Sequence, residues 1–184
     1  VAPIVPMMER VKDIVPAFTR AFYIGSDTLT EEKNLKRFQS AAERLGFKLD
    51  FKLVPSTNAW IETYARAQDY DVVIVGNSEG IKDWNPKKVR DAMLRTTRKL
   101  SVTNHGWMMP YTILGVTKVS EEQGEWVAKT ALRILDGISP TEIPIIPNNQ
   151  RDIWINSDFL EASHVSLPDD VLRKGKKVAG LESQ

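Results

Sequence analysis

The sequence predicts an α/β fold, a three-layer αβα arrangement around a parallel sheet, and three observations carry that expectation. Strand-like and helix-like stretches alternate at least four times along 184 residues, the rhythm of a parallel sheet joined by right-handed helical crossovers. Asp71 to Val75 (DVVIV) shows no polar alternation, as a strand covered by helices on both faces requires. Phe47 to Val54 does alternate, Phe47, Leu49, Phe51 and Leu53 against Lys48, Asp50 and Lys52, which marks a strand with one wet face at a sheet edge.

Each element has its own signal. Met8, Val11, Ile14 and Val15 recur at helical spacing, and Pro16 closes that first helix. Ala21 to Gly25 is a short apolar strand. A helix follows from Glu31 to Leu45, with inner face Leu35, Phe38, Ala42 and Leu45 and Gly46 as its stop. Ser56 caps a helix reaching Gln68; Asn85 with Pro86 opens another, to Arg98, whose inner face is Val89, Met93 and Leu94. Leu100 to Thr103 and Thr112 to Val116 are strands. Ser120 to Gln123 (SEEQ) reads as a capping box, and Gly137 ends the helix it opens. Beyond Ile138, Pro140, Pro144 and Pro147 restrict the chain to extended pieces, with Arg151 to Asn156 the best late strand and short helices at Asp158 to Ser163 and Pro168 to Arg173.

Composition narrows the function classes. Hydrophobic residues make up 42% and charged residues 27%, which suits a single sizeable core. Twenty-five Lys plus Arg against 24 Asp plus Glu leave a formal charge of +1, so nothing selects nucleic acid or an anionic membrane surface. The basic run Arg173, Lys174, Lys176, Lys177 has no interleaved aromatic residue and is expected to be a solvated tail. There is no cysteine, hence no disulfide, zinc thiolate or thiol nucleophile. No apolar stretch approaches the ~20 residues that span a bilayer, so no membrane insertion is expected.

In open α/β sheets, ligands bind beyond the carboxyl ends of the strands. Three such ends here carry small hydrogen-bonding residues: Gly25, Ser26, Asp27 and Thr28; Gly76, Asn77, Ser78, Glu79 and Gly80; Asn104, His105, Gly106 and Trp107. Serine and asparagine offer neutral donors and acceptors, Asp27 and Glu79 pair a cation, and Trp107 stacks or walls a site. Trp84 and Trp107 are the tryptophans in candidate cleft loops; Trp60, Trp126 and Trp154 suit a core or a lobe contact. Dinucleotide, P-loop, nucleophile-elbow and zinc-protease motifs are all missing, and the two histidines, His105 and His164, lie in unrelated contexts. Asp69 and Asp71 sit at the wrong end of their strand for a phosphoacceptor pocket. No enzymatic activity, catalytic residue, metal or cofactor is expected.

From Gly124 onward the segments GEWVAKTALRILDGISPTEIPI and RDIWINSDFLEASHVSLPDDVL resemble the C-terminal part of ABC-transporter substrate-binding proteins of the tryptophan- and tyrosine-binding type. Ile134, Leu135, Gly137, Pro140, Ile143, Pro144, Ile155, Asn156, Ala162, Val165, Leu167, Pro168 and Leu172 match that pattern, and Arg20 to Gly46 follows it more loosely. His164 stands where the family usually has glycine, and Asn77, Ser78 and Glu79 replace its Thr-Asp-Asn type loop.

The resemblance implies one lobe of a type I periplasmic-binding-protein-like fold. Residues 1–117 would be the second lobe, 118–137 a helix packed on a first lobe absent from this sequence, and 138–184 a return strand with short helices. It also implies an exported or periplasmic protein that binds a small polar solute, an amino acid or similar, and delivers it to a permease. A ligand-sensing input module is the alternative. Ser26 to Thr28, Asn77 to Glu79, and Asn104 with His105 match the three ligand loops, with Trp107 beside them. Val127, Ala128, Ala131, Leu132, Ile134 and Leu135 form a stripe too wide for a solvated helix face, so self-association through residues 120–136 is expected if the first lobe is missing.

Overall fold

The computed structural model describes residues 4–146 and 149–178; Val1, Pro147 and the end of the 138–184 segment lie outside them. Seven strands form one sheet: β1 (Arg20–Ser26), β2 (Lys48–Val54), β3 (Val72–Val75), β4 (Leu100–Thr103), β5 (Leu114–Lys118), β6 (Arg151–Asn156) and β7 (Lys176–Val178). Their spatial order is β2-β1-β3-β4-β5-β6-β7. The helices are α1 (Ile4–Ile14), α2 (Leu29–Leu45), α3 (Thr57–Ala67), α4 (Pro86–Thr96), α5 (Ser120–Leu135), α6 (Ser157–Ser163) and α7 (Asp169–Lys174).

Strands β1 to β5 pair in parallel. The chain steps from β1 outward to β2, then crosses back over β1 to β3, and continues in that direction. Right-handed crossovers taken in opposite directions put α2 on one face and α3 with α4 on the other. Helix α1 packs on α2, and α6 packs on α4. The strand order therefore reverses between β1 and β3.

Local chemistry sets the elements. Ser56 accepts from Ala59 N at 3.3 Å, Asn85 accepts from Lys88 N at 2.9 Å with Pro86 in the first turn, and Gly46 leaves α2 at φ 70°. Every residue of β3 and β4 is buried. Leu35, Phe38 and Ala42 on α2, Val89 and Met93 on α4, and Met8 and Val11 on α1 all reach the core. Phe51, which the alternation assigns inward, is 51% exposed on the edge strand. Trp84 lies outside the cleft: its ring packs edge-on against Trp60 and Tyr111, with centroids 5.1 and 5.5 Å away.

Three departures lie after β5. Strand β6 runs antiparallel to β5, and β7 is parallel to β6. The reason is α5: it has no buried residue and does not lie over the sheet, so the β5 to β6 link is not a crossover unit. Ser120 does not cap α5; Val119 holds the cap position without a side-chain bond, and Gln123 Oε1 accepts from Lys118 Nζ at 2.7 Å instead. The basic run is exposed to solvent as expected, but it is built into an α-helix and a strand instead of a tail. Arg173 and Lys174 end α7, where cations suit the helix C-terminus, and Lys176 and Lys177 lie in β7.

Candidate functional site

A cavity of about 680 Å³ opens at the edge of the sheet where β1, β3, β4 and β5 end. That edge includes the β1/β3 reversal, where two crossovers diverge and leave a crevice. Its near wall comes from α2 and the loops after β3 and β4: Glu31, Asn34, Asn77, Glu79, Asn104, His105 and Trp107, with Arg37 at the rim. Its far wall comes from the carboxyl end of β5, the start of α5, and the amino ends of β6 and β7: Thr117, Lys118, Glu121, Asp152, Trp154 and Lys176.

The near wall is one hydrogen-bonded network with Glu31 at its base. Thr28 caps α2 by accepting from Glu31 N at 3.3 Å, which places Glu31 in the first turn facing the sheet. Its Oε1 accepts from Asn77 N at 2.7 Å and from the Tyr23 hydroxyl. Asn34, one turn later, donates to the Tyr23 hydroxyl at 2.9 Å, accepts from Asn104 Nδ2 at 3.2 Å and lies 3.3 Å from His105 Nε2. Three strand ends are thereby tied to one helix.

Asn77 organises the rim. Its Oδ1 accepts from Glu79 N and from Trp107 Nε1, each at 3.0 Å, while its Nδ2 donates to Glu79 Oε2 at 3.0 Å. The His105 and Trp107 rings pack against each other at a tilt of 39°, with centroids 4.8 Å apart. A 3-10 helix over Gly106–Tyr111 buries Met108 and Met109 and leaves Trp107 59% exposed. Strand β4 ends at Thr103 because this turn begins the cleft wall.

Burial governs the titrating groups. It raises the Glu31 carboxyl, against the bonds from Tyr23 and Asn77 that lower it, and nearby Glu79 raises it further. Burial also carries the Tyr23 hydroxyl well above its ordinary value, with Glu31 adding to the effect. Burial lowers the His105 imidazole although the Glu79 carboxylate pulls the other way, which favours the neutral ring. On the far wall, Lys176 Nζ binds Asp152 at 2.8 Å and sits 5.2 Å from the Trp154 ring centroid. Trp154 Nε1 donates to Thr117 Oγ1 at 2.8 Å.

Of the residues singled out in the sequence, Asn77, Glu79, Asn104, His105 and Trp107 line the cavity. Four do not. Ser26 is fully buried with its Oγ 3.3 Å from Thr28 Oγ1, Thr28 is occupied as the α2 cap, Asp27 faces solvent, and Ser78 donates to Met108 Sδ at 3.5 Å. Tyr23, Glu31 and Asn34 are not among the residues that the sequence points to, although it carries a signal for the last two. Counting back four from Leu35 and Phe38 on the inner face of α2 gives Glu31 and Asn34, polar residues at core positions.

Gly76 is required by this packing. A Cβ there would overlap Glu31 Oε1 and stand 2.6 Å from the Tyr23 hydroxyl oxygen. Gly76→Ala should therefore lower stability by about 1 to 3 kcal/mol, the usual cost of overpacking, in chemical denaturation. An unchanged midpoint would contradict the packing described.

Neither a protein-family model nor a curated protein matches the sequence. Solved structures do. The ligand-free, open structure of CD0873, a substrate binding protein with adhesive properties from Clostridium difficile, superposes with TM-score 0.74 at 17% identity, over 94% of this chain and 58% of that one. The fold is shared with part of that substrate-binding protein. A Streptococcus pneumoniae ABC domain in complex with L-Trp gives TM-score 0.65 at 18% identity, over 97% of this chain and 62% of that one. A conserved domain protein of Vibrio cholerae gives 0.67 at 16%, over 96% and 60%. The chain thus spans about three fifths of the length of these three structures. No helix among the described residues is long and apolar enough to cross a membrane.

Proposed function

We propose that this protein binds a small polar solute, an amino acid or similar molecule, in the cleft at the β1/β3 reversal and carries out no chemistry on it. In this reading it is exported and hands its solute to an ABC-transporter permease. Residues 1–117 form the second lobe, 118–137 the helix that meets a first lobe, and 138–184 the return segment. The observation that carries the reading is the convergence of Asn77, Glu79, Asn104, His105 and Trp107, from two separate strand ends, on one cavity walled opposite by Trp154. Neutral amides, a flat ring and a few charges hold and orient a polar molecule. The likeness to substrate-binding structures supports the same conclusion at the level of fold.

Native mass spectrometry of the purified protein, with thermal-shift screening against amino acids, sugars, amines and carboxylic acids, tests this. The expected result is a retained solute or a solute-dependent rise in melting temperature that Trp107→Ala removes. A protein that retains nothing and responds to none of the four classes, or that converts a bound solute to product, contradicts it.

A further inference from the structure

Resting on the solute-binding reading, we propose that His105 is an acid-operated latch of the cleft: its neutral ring holds the near wall together, and proton uptake displaces the ring with Trp107 and releases the solute. The direction of each hydrogen bond behind the ring follows from Glu31. As a carboxylate it offers only acceptors, so the Tyr23 hydroxyl donates to it, and the same hydroxyl oxygen accepts from Asn34 Nδ2 at 2.9 Å. Asn34 Oδ1 accepts from Asn104 Nδ2 at 3.2 Å. The second hydrogen of Asn34 Nδ2 goes to His105 Nε2, 3.3 Å away. His105 Nε2 is therefore an acceptor, and the proton of the neutral ring lies on Nδ1.

A charged ring carries hydrogens on both nitrogens and cannot accept. Asn34 does not turn to meet it, because its oxygen would then face the Tyr23 oxygen, whose hydrogen is committed to Glu31. Turning Asn104 as well would leave those two oxygens opposed, among residues that are all buried. The ring gives way more readily. His105 is half-buried; its N–H donates to Thr103 Oγ1 and its carbonyl accepts from Met108 N, so the side chain moves and the backbone stays. Trp107, whose ring packs on His105, then keeps only its bond to Asn77 Oδ1.

The charges around His105 set the direction of the movement. Glu79 attracts the charged ring toward the cavity that both residues line, while Glu31 lies behind Tyr23 and Arg37 is exposed at the rim. Across the cavity Lys176 is paired with Asp152 and Lys118 with Gln123, beside an exposed Glu121. Burial outweighs Glu79 and lowers the imidazole. With the folded value depressed, the latch holds above the unfolded value and is lost as pH falls through the folded one.

NMR titration of the full chain from about pH 8 to about pH 5 reads the latch without a solute. The His105 ring resonances are expected to titrate below the ordinary value of about 6.5. The indole N–H resonance of Trp107, identified by its loss in Trp107→Phe, should move with the same midpoint. Asn34→Asp gives the charged ring an acceptor, so it should raise the His105 midpoint and leave Trp107 still. Calorimetric titration of the solute that the protein retains, or of the tightest-binding one from thermal-shift screening, should lose affinity about tenfold per pH unit below the midpoint. His105→Gln, whose amide oxygen accepts from Asn34 at every pH, should show no step there. A His105 that titrates at or above the ordinary value, a Trp107 signal indifferent to it or unchanged by Asn34→Asp, an affinity flat through the midpoint, or the same step in His105→Gln overturns the proposal while solute binding stands. No solute bound and none retained removes the solute-binding reading, and this proposal with it.

Discussion

Replacing Glu31 with alanine is expected to lower the free energy of unfolding by about 2 to 3 kcal/mol at neutral pH, because Asn77 N–H and the Tyr23 hydroxyl lose a buried acceptor and a void opens beside Gly76. Glu31→Gln separates the hydrogen bonds from the charge. Its amide oxygen still accepts from Asn77 N–H, but it is neutral at every pH. Since the folded chain raises the Glu31 carboxyl, the folded state binds the proton more readily than the unfolded one. Stability from this group is therefore fully present below the unfolded value and is lost as pH rises through the folded value. The stability of Glu31→Gln relative to the original protein should grow in urea denaturation from about pH 4 to about pH 8. A difference that stays flat over that range would mean that burial of the charge has no energetic consequence.

Sedimentation at several concentrations is expected to show self-association of the chain, abolished by Leu132→Glu with Ile134→Glu. Helix α5 buries nothing; Val127, Leu132, Ile134 and Leu135 are 59%, 61%, 40% and 81% exposed. Ile145 and Ile146, 99% and 51% exposed, line a hollow with Trp126 and Val127 and extend the apolar face. Covering a side chain of this kind contributes roughly 1.5 to 3 kcal/mol. In the two-lobe reading a first lobe covers this face; in this chain alone a second copy is the available cover. A chain that stays monomeric at every concentration tested contradicts the expectation.

What was legible in the sequence and what was not divides on physical lines. Apolar runs, alternation and helical spacing located β1 to β6, α1 to α4, α6 and α7 because each buries at least one face, whereas α5 shows the helical period but buries nothing. Strand β7 and the antiparallel turn of β6 escaped because direction and edge pairing depend on where α5 goes, and an exposed helix leaves no trace of that in its own pattern. The same reversal hides the far wall: Asp152 and Lys176 sit at strand amino ends, whereas a parallel sheet puts ligand loops at carboxyl ends. Glu31 escaped for a different reason. Thr28 to Glu31 has the T-x-x-E form of a helix cap, and only packing reveals that the carboxylate turns inward to Tyr23 and Asn77. Residue type alone points to Ser26 and Thr28, and it does not distinguish a hydroxyl that caps or packs from one that faces a ligand.

The most direct measurement is a crystal structure of the protein with the solute it retains or the tightest-binding solute from screening. The account predicts the solute in the cleft at the β1/β3 reversal, in contact with Trp107, Glu79 and Asn104 on one side and facing Trp154 on the other. A solute bound at the opposite edge of the sheet, or along α5 and away from these residues, would contradict it.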